Sequence, residues 1–209
     1  MKRLALGFLL SSLAVLCFAQ DRTIIDDWSQ VKPPPAPQLK AVLVDPDTTA
    51  LLLLDFEDRT VLPRPRALAT LPRVERLLDF ARSSGILVAY STTGAGSPDS
   101  ILPALKPRPE EHVVKGSVDK FFGTDLEAYL KERGVTQVII AGIVAEGAVL
   151  GTSTGACLRG FKVIVPVDGT ASSDPYAEQY VAWQLLNAPA LRGNVTLTRM
   201  DMLGLAPTR

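Results

Sequence analysis

The 209-residue chain carries 22 basic and 22 acidic residues and a single histidine, so no global field recruits nucleic acid or an anionic membrane surface. Its two cysteines, Cys17 and Cys157, exclude a disulfide-built scaffold. One histidine also excludes the clustered ligands of a zinc site, and nothing in the composition asks for a metal or any other cofactor.

At the start of the chain, Lys2 and Arg3 precede an uncharged apolar run from Leu4 to Phe18, with Cys17 and Ala19 as small residues at the −3 and −1 positions of a cleavage site. This is the layout of a secretory signal peptide over residues 1–19, and the run is shorter than the roughly 20 residues of a membrane-spanning helix. The expected mature protein is exported, periplasmic or secreted, with no membrane attachment after cleavage. Residues 20–40 carry Pro33, Pro34, Pro35 and Pro37, a composition that favours extended polyproline geometry and reads as an N-terminal arm. The folded domain is then expected over residues 41–209.

From Ala50 the pattern changes to alternating strands and helices. Ala50 to Asp55 is a continuous apolar run closed by a carboxylate, as in a strand buried on both faces. Pro72 to Ser84 places Val74, Leu77, Leu78 and Ala81 at helical spacing and stops before Gly85. Ile86 to Tyr90 reads as a second strand, and Ser91 to Pro109 as a long Gly-, Pro- and Ser-rich loop. Val113 and Val114 form a short extended segment ended by Lys115. Thr124 is placed to cap a helix from Asp125 to Arg133, stopped by Gly134. Strand Val135 to Ala141, a turn with a helix to Arg159, strand Phe161 to Val167, helix Pro175 to Ala188 and strand Asn194 to Met200 complete the series. Such alternation predicts βαβ units, hence an α/β fold: a three-layer, Rossmann-like parallel sheet with helices on both faces. Ligands of such sheets bind beyond the carboxyl ends of the strands, here after Leu54, Tyr90 or Ala141.

Asp55 sits at such an edge, where apolar neighbours raise a carboxyl's proton affinity and suit it to acid–base work. Gly151-Thr152-Ser153-Thr154-Gly155 matches the G-x-S-x-G pattern of serine hydrolases. That pattern requires a strand-to-helix elbow and a later histidine, whereas this stretch falls inside a helix and His112 precedes it. Its small residues are instead expected to let the helix pack closely on the sheet. Cys157, in the same helix between Ala156 and Leu158, reads as a buried, inert thiol.

Together these segments resemble the isochorismatase-like superfamily of cysteine hydrolases, which includes nicotinamidases and carbamoyl-amide hydrolases. Residues 50–58 (ALLLLDFED) look like the family's first strand with its catalytic aspartate, which places that role at Asp55. Residues 113–135 (VVKGSVDKFFGTDLEAYLKERGV) are similar to the lysine segment and place the catalytic lysine at Lys115. Residues 138–174 (VIIAGIVAEGAVLGTSTGACLRGFKVIVPVDGTASSD) resemble the strand, nucleophile turn, helix and next strand. In that register Ala148 occupies the position of the family's cysteine. Cys157 lies about two and a half helical turns further on and is no substitute. The resemblance further implies a cis peptide at Ile143–Val144 and backbone N–H groups of Val144 and Ala148 forming an oxyanion hole. Glu146, at the turn, is expected to position water or substrate. The Asp-x-His metal motif of nicotinamidases has no counterpart.

Two functions follow. The first is an exported hydrolase of a small amide, carbamoyl or vinyl-ether compound, with Asp55 and Lys115 as acid–base pair and no protein nucleophile. Isochorismatases proper, which also lack the cysteine, offer the vinyl-ether precedent. The second is an inactive family member that binds a small molecule or a partner. The resemblance also implies a homo-oligomer.

Overall fold

The computed structural model describes residues 22–207, so the leader sequence read over residues 1–19 lies outside it. The described chain divides into two units, the first ending at Ala36 and the second beginning at Pro37. In the first, residues 24–30 form hydrogen-bonded turns: the Asp26 carboxylate accepts from Thr23 N–H at 2.7 Å, and an extended proline-rich stretch follows. The arm read to Lys40 ends sooner, because Lys40 N–H donates to Leu197 O at 3.0 Å inside the second unit.

The second unit begins with β1 (Val42–Val44), β2 (Thr49–Leu54), the short helices α1 (Asp58–Val61) and α2 (Pro65–Leu68), α3 (Leu71–Ser83) and β3 (Leu87–Thr92). Then come β4 (His112–Lys115), α4 (Leu126–Lys131), β5 (Gln137–Ile143), α5 (Leu150–Leu158), β6 (Lys162–Pro166) and β7 (Thr170–Ala171). Helix α6 (Pro175–Asn187) and strands β8 (Val195–Thr198) and β9 (Leu203–Leu205) close the series. The main sheet runs β4-β3-β2-β5-β6-β8 with β7 added against β5, and every ladder is parallel. Strands β1 and β9 pair separately, also in parallel.

The centre of the sheet follows from the sequence of β2, whose six residues are all buried. Alternate side chains enter opposite cores. Leu52 and Leu54 join Val138, Ile140, Val149, Ala156, Val181 and Leu185 on one face. Leu51 and Leu53 join Val74, Leu77, Leu78, Ala81 and Ile139 on the other. Helices α4, α5 and α6 therefore cover one face and α3 the other, each buried leucine contributing about 1.5–3 kcal/mol of transfer free energy.

The strand and helix boundaries move by one or two residues from the sequence reading, and one segment differs in kind. The stretch read as a loop from Ser91 begins as the end of β3 and contains helical turns at Pro98–Ser100 and Pro103–Leu105. Ile101, Leu102 and Leu105 anchor it in the second core.

Candidate functional site

Strand order reverses direction on either side of β2: the chain proceeds outward through β3 and β4 on one flank and through β5, β6 and β8 on the other. Asp55 follows the last residue of β2 at this switch point, where ligands of open parallel sheets bind. Its backbone has φ = +55°, in the left-handed region that aspartate tolerates better than most residues. Its N–H donates to Ser91 O at 3.1 Å, and Thr60 Oγ1 donates to its carbonyl oxygen.

The Asp55 carboxylate is 5% exposed and receives two donors. Ser91 Oγ donates to Oδ1 at 2.7 Å, and Lys120 Nζ donates to Oδ2 at 2.7 Å. Lys120, 1% exposed, also donates to Gly116 O at 3.2 Å. Burial pushes the Asp55 carboxyl above the ordinary aspartate range; the Lys120 ammonium and the Ser91 hydroxyl oppose this, and the nearby Glu57 charge adds to it. A buried pair of this kind holds its geometry firmly, since removing either partner strands the other charge at a cost of about 3–5 kcal/mol.

This geometry corrects the sequence assignment of Lys115. That residue ends β4, paired with Thr92, and is exposed. The buried neighbour in the strand is Val114, and alternation along β4 leaves Lys115 on the wet side. The chain then turns at Gly116, whose N–H donates to Thr92 O at 3.1 Å, and returns over the site to deliver Lys120. The apolar residue that follows, Phe121, is 3% exposed and could have signalled that the second lysine, not the first, is carried inward.

The third component is the turn after β5. The Ile143–Val144 peptide is cis, as the resemblance implied. Residues Ala145–Val149 then form one wide helical turn ahead of α5, in which Gly147 and Val149 N–H donate to Val144 O at 3.2 and 3.4 Å. Ala148 is 4% exposed and Val144 half-buried, while Glu146 is exposed and hydrogen-bonds neither Asp55 nor Lys120.

Sequence reasoning passed over Glu57, a fully buried carboxylate two residues beyond Asp55. Its oxygens accept from Thr93 N–H and Ser100 Oγ, each at 2.8 Å, and an isolated bridge pairs it with Ile101. Gly96 closes over it so tightly that a Cβ there would lie 1.6 Å from Oε1. Glu57 thus ties the loop after β3 to the segment carrying Asp55. Its position two residues after a strand-end aspartate was the available signal.

Other singled-out residues are structural. Ser153 is fully buried within α5 rather than at an elbow. His112 Nε2 lies 2.9 Å from Asp125 Oδ1, and its ring stacks on Tyr129. Burial pushes the half-buried Cys157 thiol up to about 11. No group of three or more His, Cys, Asp or Glu side chains that could hold a metal occurs among the described residues. A separate groove of about 370 Å³, lined in part by Arg66, Arg73, Asp168 and Glu178, does not include Asp55 or Lys120.

The buried acid–lysine pair lies at the switch point of an open parallel sheet, the place where ligands of such α/β folds bind. Residues 49–199 match the isochorismatase domain, and the chain belongs to that family. A streptothricin hydrolase of Streptomyces noursei is 33% identical over 140 residues, 60% of this chain and 50% of its own length. An N-carbamoylsarcosine amidase of an Arthrobacter species is 27% identical over 156 residues, 61% of this chain and 58% of its own. The chain thus spans about half the length of these curated relatives. Among solved structures, an isochorismatase-like hydrolase from Alkaliphilus metalliredigens superposes with a TM-score of 0.66 at 24% identity, covering 74% of this chain and 94% of that one. It shares the fold.

Proposed function

We propose that the protein hydrolyses a small amide or carbamoyl compound by attack of water, with Asp55 as base and then acid, Lys120 as its charge partner, and no covalent enzyme intermediate. The observation that carries this reading is the buried Asp55–Lys120 pair at 2.7 Å, with Ala148 in the adjoining turn. In the family register Ala148 replaces the cysteine, and a methyl group has no electron pair to donate. The names of the relatives, a streptothricin hydrolase and an N-carbamoylsarcosine amidase, favour carbon–nitrogen bond cleavage over vinyl-ether chemistry.

In this mechanism Asp55 removes a proton from water as its oxygen bonds to the carbonyl carbon. The carbonyl oxygen becomes an oxyanion facing the backbone N–H groups of Val144 and Ala148, where pre-aimed donors are worth about 3–4 kcal/mol each. Collapse breaks the carbon–nitrogen bond, and the proton on Asp55 passes to the leaving nitrogen, giving a carboxylic or carbamic acid and an amine. Burial makes Asp55 a stronger base than a surface aspartate, and Lys120 keeps it ionised and in place.

The test is turnover by residues 20–209 on a panel of amides, carbamoyl compounds and vinyl ethers, with Asp55→Asn in parallel. Product from the first two classes, reduced about 10²-fold or more in the variant, is the expected result. Cleavage of vinyl ethers alone would replace water attack on a carbonyl by alkene protonation. Silence of the wild-type protein, or equal rates in Asp55→Asn, would overturn the reading.

A further inference from the structure

The Gly151–Gly155 stretch of α5, expected to seat the helix on the sheet, seats something else. Val149 and Ala156 take the sheet side, within the first core, whereas Gly151 and Gly155 face the segment that carries Lys120. A Cβ on Gly151 would lie 2.6 Å from Val118 O, and one on Gly155 would lie 2.3 Å from Asp119 Oδ1. Between them, the fully buried Thr152 uses its hydroxyl twice: it accepts from Lys120 N–H at 3.2 Å and donates to Val118 O at 3.2 Å. Asp119 is held in turn, its Oδ1 accepting from Phe121 N–H at 2.9 Å and its Oδ2 lying 3.3 Å from Arg159 Nη1.

We propose that Thr152 is a positioning residue for Lys120: its hydroxyl fixes the backbone on either side of Asp119 so that the lysine ammonium meets the Asp55 carboxylate. The proposal rests on the function above only in giving that pair a catalytic use. Lysine is a long, flexible side chain whose reach depends on where its backbone is anchored. Lys120 is neither in a strand nor in a helix. The threonine hydroxyl ties its backbone N–H to α5, and a misplacement of about 1 Å at a catalytic group is enough to cost a large factor in rate. Replacing the hydroxyl by a methyl also strands the buried Lys120 N–H and leaves the partly buried Val118 carbonyl without its donor, so the segment must shift to satisfy them.

The test is a carboxyl-carbon NMR titration of Asp55 in the intact protein and in Thr152→Val, Thr152→Ser and Gly155→Ala. The groups facing Asp55 are Lys120, Ser91 and Glu57. Drawing the ammonium away removes the carboxylate's cation, so Thr152→Val and Gly155→Ala should raise the Asp55 midpoint by about half a pH unit or more. Thr152→Ser, which keeps the hydroxyl, should titrate as wild type. On any substrate found, Thr152→Val should lower kcat about tenfold with little change in KM, and serine should restore it. A Thr152→Val midpoint equal to wild type, whatever its loss of melting temperature, would overturn the proposal. So would a Thr152→Ser midpoint displaced as far as that of valine. If Thr152→Val does not fold, Thr152→Ala carries the same decision, since it removes the same hydroxyl without putting a methyl in its place. The titration needs no substrate, so a failure to find hydrolysis would sink the proposed function and leave this result standing.

Discussion

Lys115 and Lys120 flank one Gly-Ser-Val-Asp stretch and end in opposite surroundings, one exposed at a strand end and one 1% exposed against Asp55. Lys120→Ala should therefore leave Asp55 buried without its cation, destabilising the protein by about 3–5 kcal/mol in urea unfolding and abolishing turnover. Lys115→Ala should change stability by no more than about 0.5 kcal/mol and leave turnover intact. Equal effects of the two substitutions would contradict the assignment. Asp55 was legible because a carboxylate closing a fully apolar strand has few places to be. The partner lysine was not, because periodicity shows that β4 ends at residue 115 but says nothing of how the following loop folds back. The pH dependence of Asp55 has a definite sign. Acting as a base, it works when ionised, so kcat/KM should rise with pH through its elevated pKa; a rate that falls over that interval would assign it the acid's role instead.

At the scale of elements, the site depends on a close approach that no propensity encodes. Gly96 lets the loop after β3 close over Glu57, and a methyl there meets a buried carboxylate oxygen at 1.6 Å. Gly96→Ala should cost about 1–3 kcal/mol by chemical denaturation and loosen the loop that borders Asp55; wild-type stability would show that Glu57 does not grip that loop. Helix α6 is fixed at its start by Glu178, which accepts from Ser172 N–H at 2.9 Å and from Arg66 Nε at 2.8 Å. Partial burial alone would raise its pKa, but Arg66 and the Ser172 N–H hold it below the ordinary glutamate value. Glu111 is likewise lowered against its burial, by Arg82 and the Arg108 N–H. A carboxylate lowered on folding contributes stability that is full above its unfolded pKa and is lost as pH falls through the folded value. Unfolding free energy should thus decline on acidification below the ordinary glutamate range, and Glu178→Gln should flatten part of that decline. Strands β2, β3, β5 and β6 were legible as apolar runs, and α3 and α6 from their spacing and proline starts. The short helices α1 and α2 were not, being four residues each and set by packing on the second core rather than by a repeating pattern.

Across the whole molecule, strand–helix alternation was enough to predict a parallel sheet covered on both faces and a site beyond the strand ends. It could not supply the strand order, because buried parallel strands are alike in composition and their neighbours are chosen by crossover geometry. Nor could it reveal the β1–β9 pair, whose partners lie near opposite ends of the folded unit. The leader read over residues 1–19 predicts that the exported protein begins at Gln20. N-terminal sequencing of the processed product decides this, and a chain retained in the cytoplasm with Met1 would contradict it. The central claim is that water, not a side chain, attacks the substrate, and intact-mass spectrometry of protein quenched during turnover tests it most directly. Wild-type protein should carry no added mass at any time in the reaction, while Ala148→Cys should accumulate an acyl adduct on the restored thiol. An adduct on the wild-type chain would show that a protein nucleophile operates and would contradict the account.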